Sequence, residues 1–271
     1  MDNMGILLRP VLAFPYKNVF SVRRMVVTHL RSALTVISLI MVWSALTYTG
    51  AIDRVFLPTP GEVIASLVGL LNPAFFGEYL LPSLFRVTAA FVLSVAVAFP
   101  LGVLSSQIAL VERMVHPVAA FSRYLPVAAF VPLCILWFGI DDAQKIAVIM
   151  IGVVFQLILL IAADTSSVPQ EMIETGRTFG LNRYQVLRRV VIPWSMPAIW
   201  DDLRISAGWA WSYLVLAELV AGNRGLGYFI TQSQRYLDTD KVFAGVLLIG
   251  FLGLLTDLAF RSAGRRMFRW V

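Results

Sequence analysis

Charge is scarce in this chain of 271 residues. Asp, Glu, Lys and Arg together make up 14% of it, against roughly 25% in an ordinary soluble domain. Cysteine is nearly absent: Cys134 stands alone in an apolar stretch, which excludes an internal disulfide. The two histidines, His29 and His116, are too isolated to bind a metal together, so no metal site is expected. No Gly-x-x-x-x-Gly-Lys-Ser/Thr segment occurs, which excludes a phosphate-cradling loop of that kind and nucleotide binding through it. The apolar runs hold no paired nucleophile and base and no histidine cluster, so no catalytic residue is assigned and a membrane-embedded enzyme is disfavoured. Basic and aromatic residues do not interleave, so the net charge of +6 does not point to nucleic acid. Internal repeats and low-complexity linkers are missing too, and the polar, basic lead lacks the form of a cleavable signal peptide.

Apolar residues, by contrast, reach 59%, which predicts a polytopic membrane protein. Six runs, at about 32–50, 84–105, 119–140, 145–163, 198–221 and 242–260, are long enough to cross a hydrocarbon core of about 30 Å. The fold expected is all-α, with a segment 1–31, a transmembrane domain 32–260 and a tail 261–271. A short surface helix is expected over 62–71, closed by Asn72-Pro73. Pro126 and Pro132 interrupt the third run and predict a kinked or broken helix there. With the N-terminus placed inside, fifteen of the basic residues fall on the inner side, Arg113 and Arg123 included, and six on the outer side. That bias predicts both termini in the cytoplasm.

The longest polar stretch, 164–197, therefore lies inside. Ser167 with Gln170, and Asn182 with Gln185, have the spacing of helix-capping boxes, and Gly180 between them permits a bend. Ile173, Gly176, Gly180, Tyr184, Leu187 and Val191 recur at helical spacing and make one contact face if the two helices are roughly continuous. Pro193 and Pro197 are expected to stop this element before the fifth span. On spacing alone two readings stand: a docking element, or an amphipathic loop whose arginines touch anionic lipid headgroups.

A resemblance separates them. Glu174-Thr175-Gly176, Gly180 and Val190-Val191-Ile192-Pro193 keep the spacing of the cytoplasmic loop of ABC importer permeases, a Glu-Ala-Ala triplet, then Gly, then Ile-x-Leu-Pro. Thr175 and Gly176 replace the two alanines, and the glycine loosens a helix by roughly 1 kcal/mol. Arg123-x-x-Pro126, Pro132-Leu133, Leu136-Trp137-Phe138-Gly139-Ile140, Lys145, Leu203-Arg204, Ala210-Trp211, Ala217-Glu218, Gly225-Leu226-Gly227-Tyr228 and Pro58-x-Pro60 resemble the nitrate, sulfonate and taurine branch. The resemblance implies a type I ABC importer permease in the inner membrane, working by alternating access. Its partners would be a dimer of ATPase subunits that bind ATP and Mg, an extracytoplasmic solute-binding protein, and a second permease, as a homodimer. It implies an ATPase-docking surface at Glu174, Thr175, Gly176, Gly180, Tyr184, Leu187, Val190, Ile192 and Pro193. The cargo implied is a sulfonate, taurine, nitrate or bicarbonate, with a thiamine-precursor pyrimidine or other heterocycle as the alternative. A stand-alone secondary transporter is the remaining rival; it would more often show two related halves.

Charges at membrane depth face a bundle interior, a pathway or a partner. Arg86 either reaches the interface along its stem or draws an anion to the outer mouth. Glu218 is expected to enter a structural salt bridge or a helix-end hydrogen bond, or to gate. Asp201, Asp202 and Arg204 are expected to stabilise the start of span five, without a pairing of Asp202 and Arg204, since i and i+2 do not face each other. Pro126, Pro132, Trp137 and Phe138 are pore-lining candidates, Trp137 being equally an interfacial anchor. Gln156, the only amide in span four, is expected to bond a neighbouring helix.

Overall fold

Apolar runs of this length, placed in lipid, must satisfy their backbone groups internally, and they do so as helices. The computed structural model describes residues 34–269, and all regular structure among them is helical. The segment 1–31 lies outside the described residues. Two compact units are delimited, one ending at Gly61 and the other beginning at Glu62.

In the first unit, α1 covers Leu34–Tyr48 and presents Leu39, Met41 and Val42 outward. The Trp43 indole donates to the Pro58 carbonyl at 2.9 Å, which ties the proline turn back to this helix.

Helix α2 (Pro60–Gly69) runs across that boundary, and in the second unit the Asn72 side chain caps α3 (Pro73–Gln107) by accepting from the Phe75 amide at 2.8 Å. After α4 (Ala109–Ser122) and a tight turn at Val127–Phe130 come α5 (Val131–Phe138) and α6 (Asp142–Ser166). The 164–197 loop carries α7 (Gln170–Thr178) and α8 (Arg183–Val186); α9 (Ile192–Ala221), α10 (Leu226–Arg235) and α11 (Thr239–Met267) complete the unit. The core lies where α3 and α9 pack on α6. Val148, Ile149, Val153, Leu157 and Ile161 of α6 are buried against Ala90, Ala98 and Val103 of α3 and Ala210, Leu214 and Ala217 of α9. The alanines and Gly102 let backbones approach; a Cβ at Gly102 would stand 2.8 Å from the Ile161 side chain. On α11, Val246, Phe251 and Leu258 face outward, as a span bordered by lipid or a partner would present them.

All six apolar runs coincide with helices. Among the described residues three helices, α3, α6 and α11, are by themselves long and apolar enough to cross a membrane, and the bent pair of α4 and Val127–Phe138 counts as a fourth if taken as one broken span. At 30 residues α9 is about 45 Å long, ample for a span, but it carries Asp201, Asp202, Arg204 and Glu218.

Four details depart from the sequence expectation. The third run is two helices bent by 97°, the first starting at Ala109 rather than near 119. Pro126 makes that break, in extended backbone with ψ at 115°; Pro132 sits harmlessly in the first turn of α5, where no amide is needed. Pro193 and Pro197 do not stop the loop element. Pro193 occupies the first turn of α9, and Pro197 lies within it. A widened turn at Leu187–Val191, with the Ile192 amide bonding the Leu187 carbonyl, absorbs the missing donor and makes 183–221 one helical rod. Finally, Ser167 does not cap α7. Its hydroxyl donates back to the Asp164 carbonyl at 2.7 Å, closing α6, and Pro169 opens α7.

Candidate functional site

The loop between α6 and α9 is a compact piece of structure. Asn182 accepts from the Gln185 amide at 2.9 Å while the Gln185 side chain accepts from the Asn182 amide at 2.9 Å, the reciprocal box expected from the spacing. Gly180 ends α7 at φ +79°; its amide bonds the Arg177 carbonyl at 2.8 Å, and the Leu181 amide bonds the Gly176 carbonyl at 3.1 Å. This left-handed stop needs glycine. Val168, Val186 and Val191 form a small core of their own, packed with Ile173, Leu181, Leu187 and Val190.

The two residues that replace alanine are accommodated. Thr175 folds its hydroxyl back onto the Glu171 carbonyl at 2.7 Å. Gly176 is buried, and a Cβ there would lie 3.3 Å from Val190, tight but not blocked. The continuous face over α7 and α8 does not exist, because Gly180 turns the chain between them. Ile173, Gly176, Leu187 and Val191 go inward or partly inward, whereas Tyr184 is 67% exposed. What the loop does present is an apolar recess of about 670 Å³ lined by Met172, Thr175, Gly176, Phe179, Val190 and Trp194, with Arg189 and Glu171 at its rim. Phe179 stands 82% exposed, Met172 41% and Trp194 39%. Of the residues expected to dock, Thr175, Gly176, Val190 and Pro193 border this recess. Phe179 and Trp194 escaped sequence reasoning; the signal was there, two aromatics in a charged loop with no helical stripe to bury them.

At the other end of α6, about 37 Å away by helix rise, four segments meet around one arginine. Arg86 of α3 is wholly buried. Its guanidinium lies 2.5 Å from Glu218 of α9 and 2.6 Å from Asp142 of α6, and donates to the Arg224 carbonyl at 2.9 Å. Arg224 in turn reaches Asp142 at 3.2 Å. Glu218 also accepts from the Ser83 hydroxyl at 2.8 Å and from the Gly227 amide, at the start of α10, at 2.7 Å. The Ser83 hydroxyl accepts from the Leu226 amide at 2.8 Å. Gly225, at φ +109°, is forced: a Cβ there would overlap Glu218 and Arg86. Arg86 therefore neither reaches out along its stem nor offers a free face to an anion; three acceptors consume it. Glu218 makes the salt bridge and the helix-end hydrogen bond together.

Elsewhere, Arg204 bonds Asp201 at 3.1 Å and Asp257 of α11 at 2.9 Å, while Asp202 turns to Asp164 of α6. Pro126, Pro132, Trp137 and Phe138 are all exposed along the bent pair, Trp137 at 61% and Phe138 at 51%.

Apolar helices are thus joined at one end by a folded polar loop that carries an exposed apolar recess, and locked at the other end by buried charge. The inward-facing methionine ABC transporter, at 20% sequence identity and a TM-score of 0.61 over 68% of this chain and 92% of that one, has the same type I importer permease fold. The sequence profile of the binding-protein-dependent transport system inner membrane component family matches residues 98–269. A probable ABC transporter permease protein of Brucella melitensis is 37% identical over 84% of this chain and 92% of its own length. The taurine transport system permease protein of Escherichia coli K12 is 32% identical over 87% and 88%. A putative aliphatic sulfonates transport permease protein of Bacillus subtilis is 30% identical over 86% and 84%. The chain belongs to the binding-protein-dependent transport system inner membrane component family. It is the transmembrane, non-catalytic subunit of an ABC importer, with ATP hydrolysis in a separate subunit and a binding protein as a further partner.

Proposed function

We propose that this permease carries a small organic sulfonate, of the taurine or alkanesulfonate kind, and that it works as a pair of identical subunits. Both termini and the 164–197 loop face the cytoplasm, where the recess around Phe179 receives the ATPase that binds ATP and Mg. The solute-binding protein delivers cargo to the opposite end, beside the Arg86 cluster. The observation that carries the docking assignment is the recess itself: exposed Phe179, Met172 and Trp194 on a loop stiffened by a capping box and a glycine stop. The charge bias favours the orientation. The cargo is supported by the taurine and sulfonate relatives.

ATP-driven closure of the ATPases displaces the loop, and the α8–α9 rod passes the displacement to the membrane. This is a two-state equilibrium biased by nucleotide and by the loaded binding protein. Co-expression with the ATPase and pull-down of the permease tests the docking. Deleting residues 173–191, or substituting Phe179→Asp, is expected to abolish co-purification, and unchanged association refutes it. Calorimetry of the cognate binding protein with taurine, ethanesulfonate, nitrate, bicarbonate and a pyrimidine tests the cargo; heat with the pyrimidine alone refutes the sulfonate assignment.

A further inference from the structure

The 97° break between α4 and α5 opens a cavity of about 390 Å³ against α6 and α9. Its polar lining consists of Ser122, Arg123, Gln156, Trp209 and Tyr213, and no carboxylate borders it. Gln156 lies near the middle of α6, about 21 Å from one end and about 15 Å from the other by helix rise. Arg123, the exposed C-cap of α4, borders the same cavity, and an ionisable group within a membrane is costly unless it faces water, a ligand or a counter-charge.

Arg123 has no carboxylate partner. Its guanidinium lies 4.8 Å over the ring of Tyr124 and donates to that hydroxyl at 2.8 Å, so a neutral neighbour holds it in place and most of its N–H groups stay free. Gln156 does not form the interhelical hydrogen bond expected of it. Among the described residues neither it, the Trp209 indole nor the Tyr213 hydroxyl bonds any protein group. Gly152 and Gln156 share one face of α6, and Trp209 and Tyr213 one face of α9, both by i, i+4 spacing. Gly152 is what lets the two faces close: a Cβ there would stand 2.5 to 2.6 Å from the Tyr213 ring.

The geometry points to an intramembrane transit site for a sulfonate group, held by the Arg123 guanidinium and completed by the Gln156 amide, the Tyr213 hydroxyl and the Trp209 N–H. The chemistry is matched in sign and in number. A sulfonate is a permanent anion with three acceptor oxygens, and the cavity offers one cation, several donors and no competing carboxylate. Planar guanidinium groups bind such oxygens in pairs. The Trp209 and Tyr213 rings supply apolar cover for an alkyl tail. The site rests on the importer reading above for its place on a pathway, and its test is independent of that reading.

The assembled permease–ATPase complex carrying Ser122→Cys is reacted with two methanethiosulfonates of similar length, one ending in a sulfonate and the other in a trimethylammonium. Modification is read on the permease chain, and each rate is normalised to that with a free thiol. The only native cysteine of this chain, Cys134, is buried, and the parent chain sets the background. The anionic reagent is expected to be favoured about tenfold. Excess ethanesulfonate should slow it, and Arg123→Gln should remove the preference. Equal normalised rates, no protection by ethanesulfonate, or a preference that survives Arg123→Gln overturns the site. Gln156→Cys serves as reporter if the Ser122 variant does not assemble. Loss of ATPase co-purification by the unmodified chain would count against the importer reading and not against the site.

Discussion

Replacing Arg86 by Met keeps an unbranched apolar stem and removes the guanidinium with its charge. Arg86 has no exposed surface and is 2.5 Å from Glu218, which is equally buried. Asp142 keeps Arg224 at 3.2 Å, so the group left without a hydrogen-bonded cation is Glu218, with only the buried Lys145 charge in its neighbourhood. Its remaining donors are the Ser83 hydroxyl and the Gly227 amide, both neutral. Breaking one side of a buried pair costs about 3–5 kcal/mol, most of it the penalty for the orphaned charge. At about 2–4 °C per kcal/mol for a chain of this size, the melting temperature should fall by about 6–20 °C. Adding Glu218→Gln removes that orphan while its amide can still accept from Gly227. The double variant should therefore be the more stable of the two, by at least about 1 kcal/mol. Tryptophan-fluorescence melting of the purified complex in one detergent measures all four members of the cycle. If the two single losses add to within about 0.5 kcal/mol, the pair is not coupled and the account of the cluster as a lock is refuted.

Other outcomes follow from named contacts. Gly225→Ala must clash with Glu218 and Arg86 at φ +109°, and should lower the melting temperature about as much as Arg86→Met does; a wild-type melt would contradict the packing drawn for that turn. Asn182→Ala removes the capping box and should cost about 1 kcal/mol, seen as faster amide exchange over 183–186 with the membrane helices unaffected. Gly176→Ala sets up to about 1 kcal/mol of helix gain against a 3.3 Å contact with Val190, so a melting change within a few degrees is expected and a large loss would show that Val190 cannot yield. Phe179→Ala, a change at a side chain 82% exposed, should leave the melt of the permease alone unchanged while lowering the amount of ATPase recovered with it.

The membrane helices were legible because lipid leaves a run of some twenty apolar residues little choice. The Asn182–Gln185 box and the bend at Gly180 were legible because capping and left-handed turns are decided within four residues. Pro126 broke its helix as expected, whereas Pro132, Pro193 and Pro197 did not. A proline in the first turn is harmless, and which turn is first depends on where the preceding helix ended. Ser167 failed for a related reason: one hydroxyl can serve the end of α6 or the start of α7, and the nearer free carbonyl won. That Glu218 needs a salt bridge or a helix-end hydrogen bond was legible from its place in an apolar run, but its partners were beyond local reading. The members of the Arg86 cluster, at 83, 86, 142, 218 and 224, come from four segments, and only packing brings them within hydrogen-bonding distance. The cavity at Arg123 was hidden in the same way, since it needs the break after α4 and the Gly152 notch together.

The loop that carries α7 and α8 is mounted unequally on its two sides. Toward α6 the chain passes through Ser167 and Pro169, where no helical hydrogen bonding continues. Toward α9 it passes through the widened turn without interruption. A force applied to α7 and α8 thus meets a non-helical joint on one side and a continuous helical lever on the other. That lever, 183–221, is about 58 Å long and carries Glu218 near its far tip. If it pivots where Ala210 and Leu214 grip α6, the long arm runs to the loop and the short arm to the Arg86 cluster. Each ångström pushed on the loop then arrives at the buried carboxylate reduced and reversed in direction, as traction on the arginine it holds.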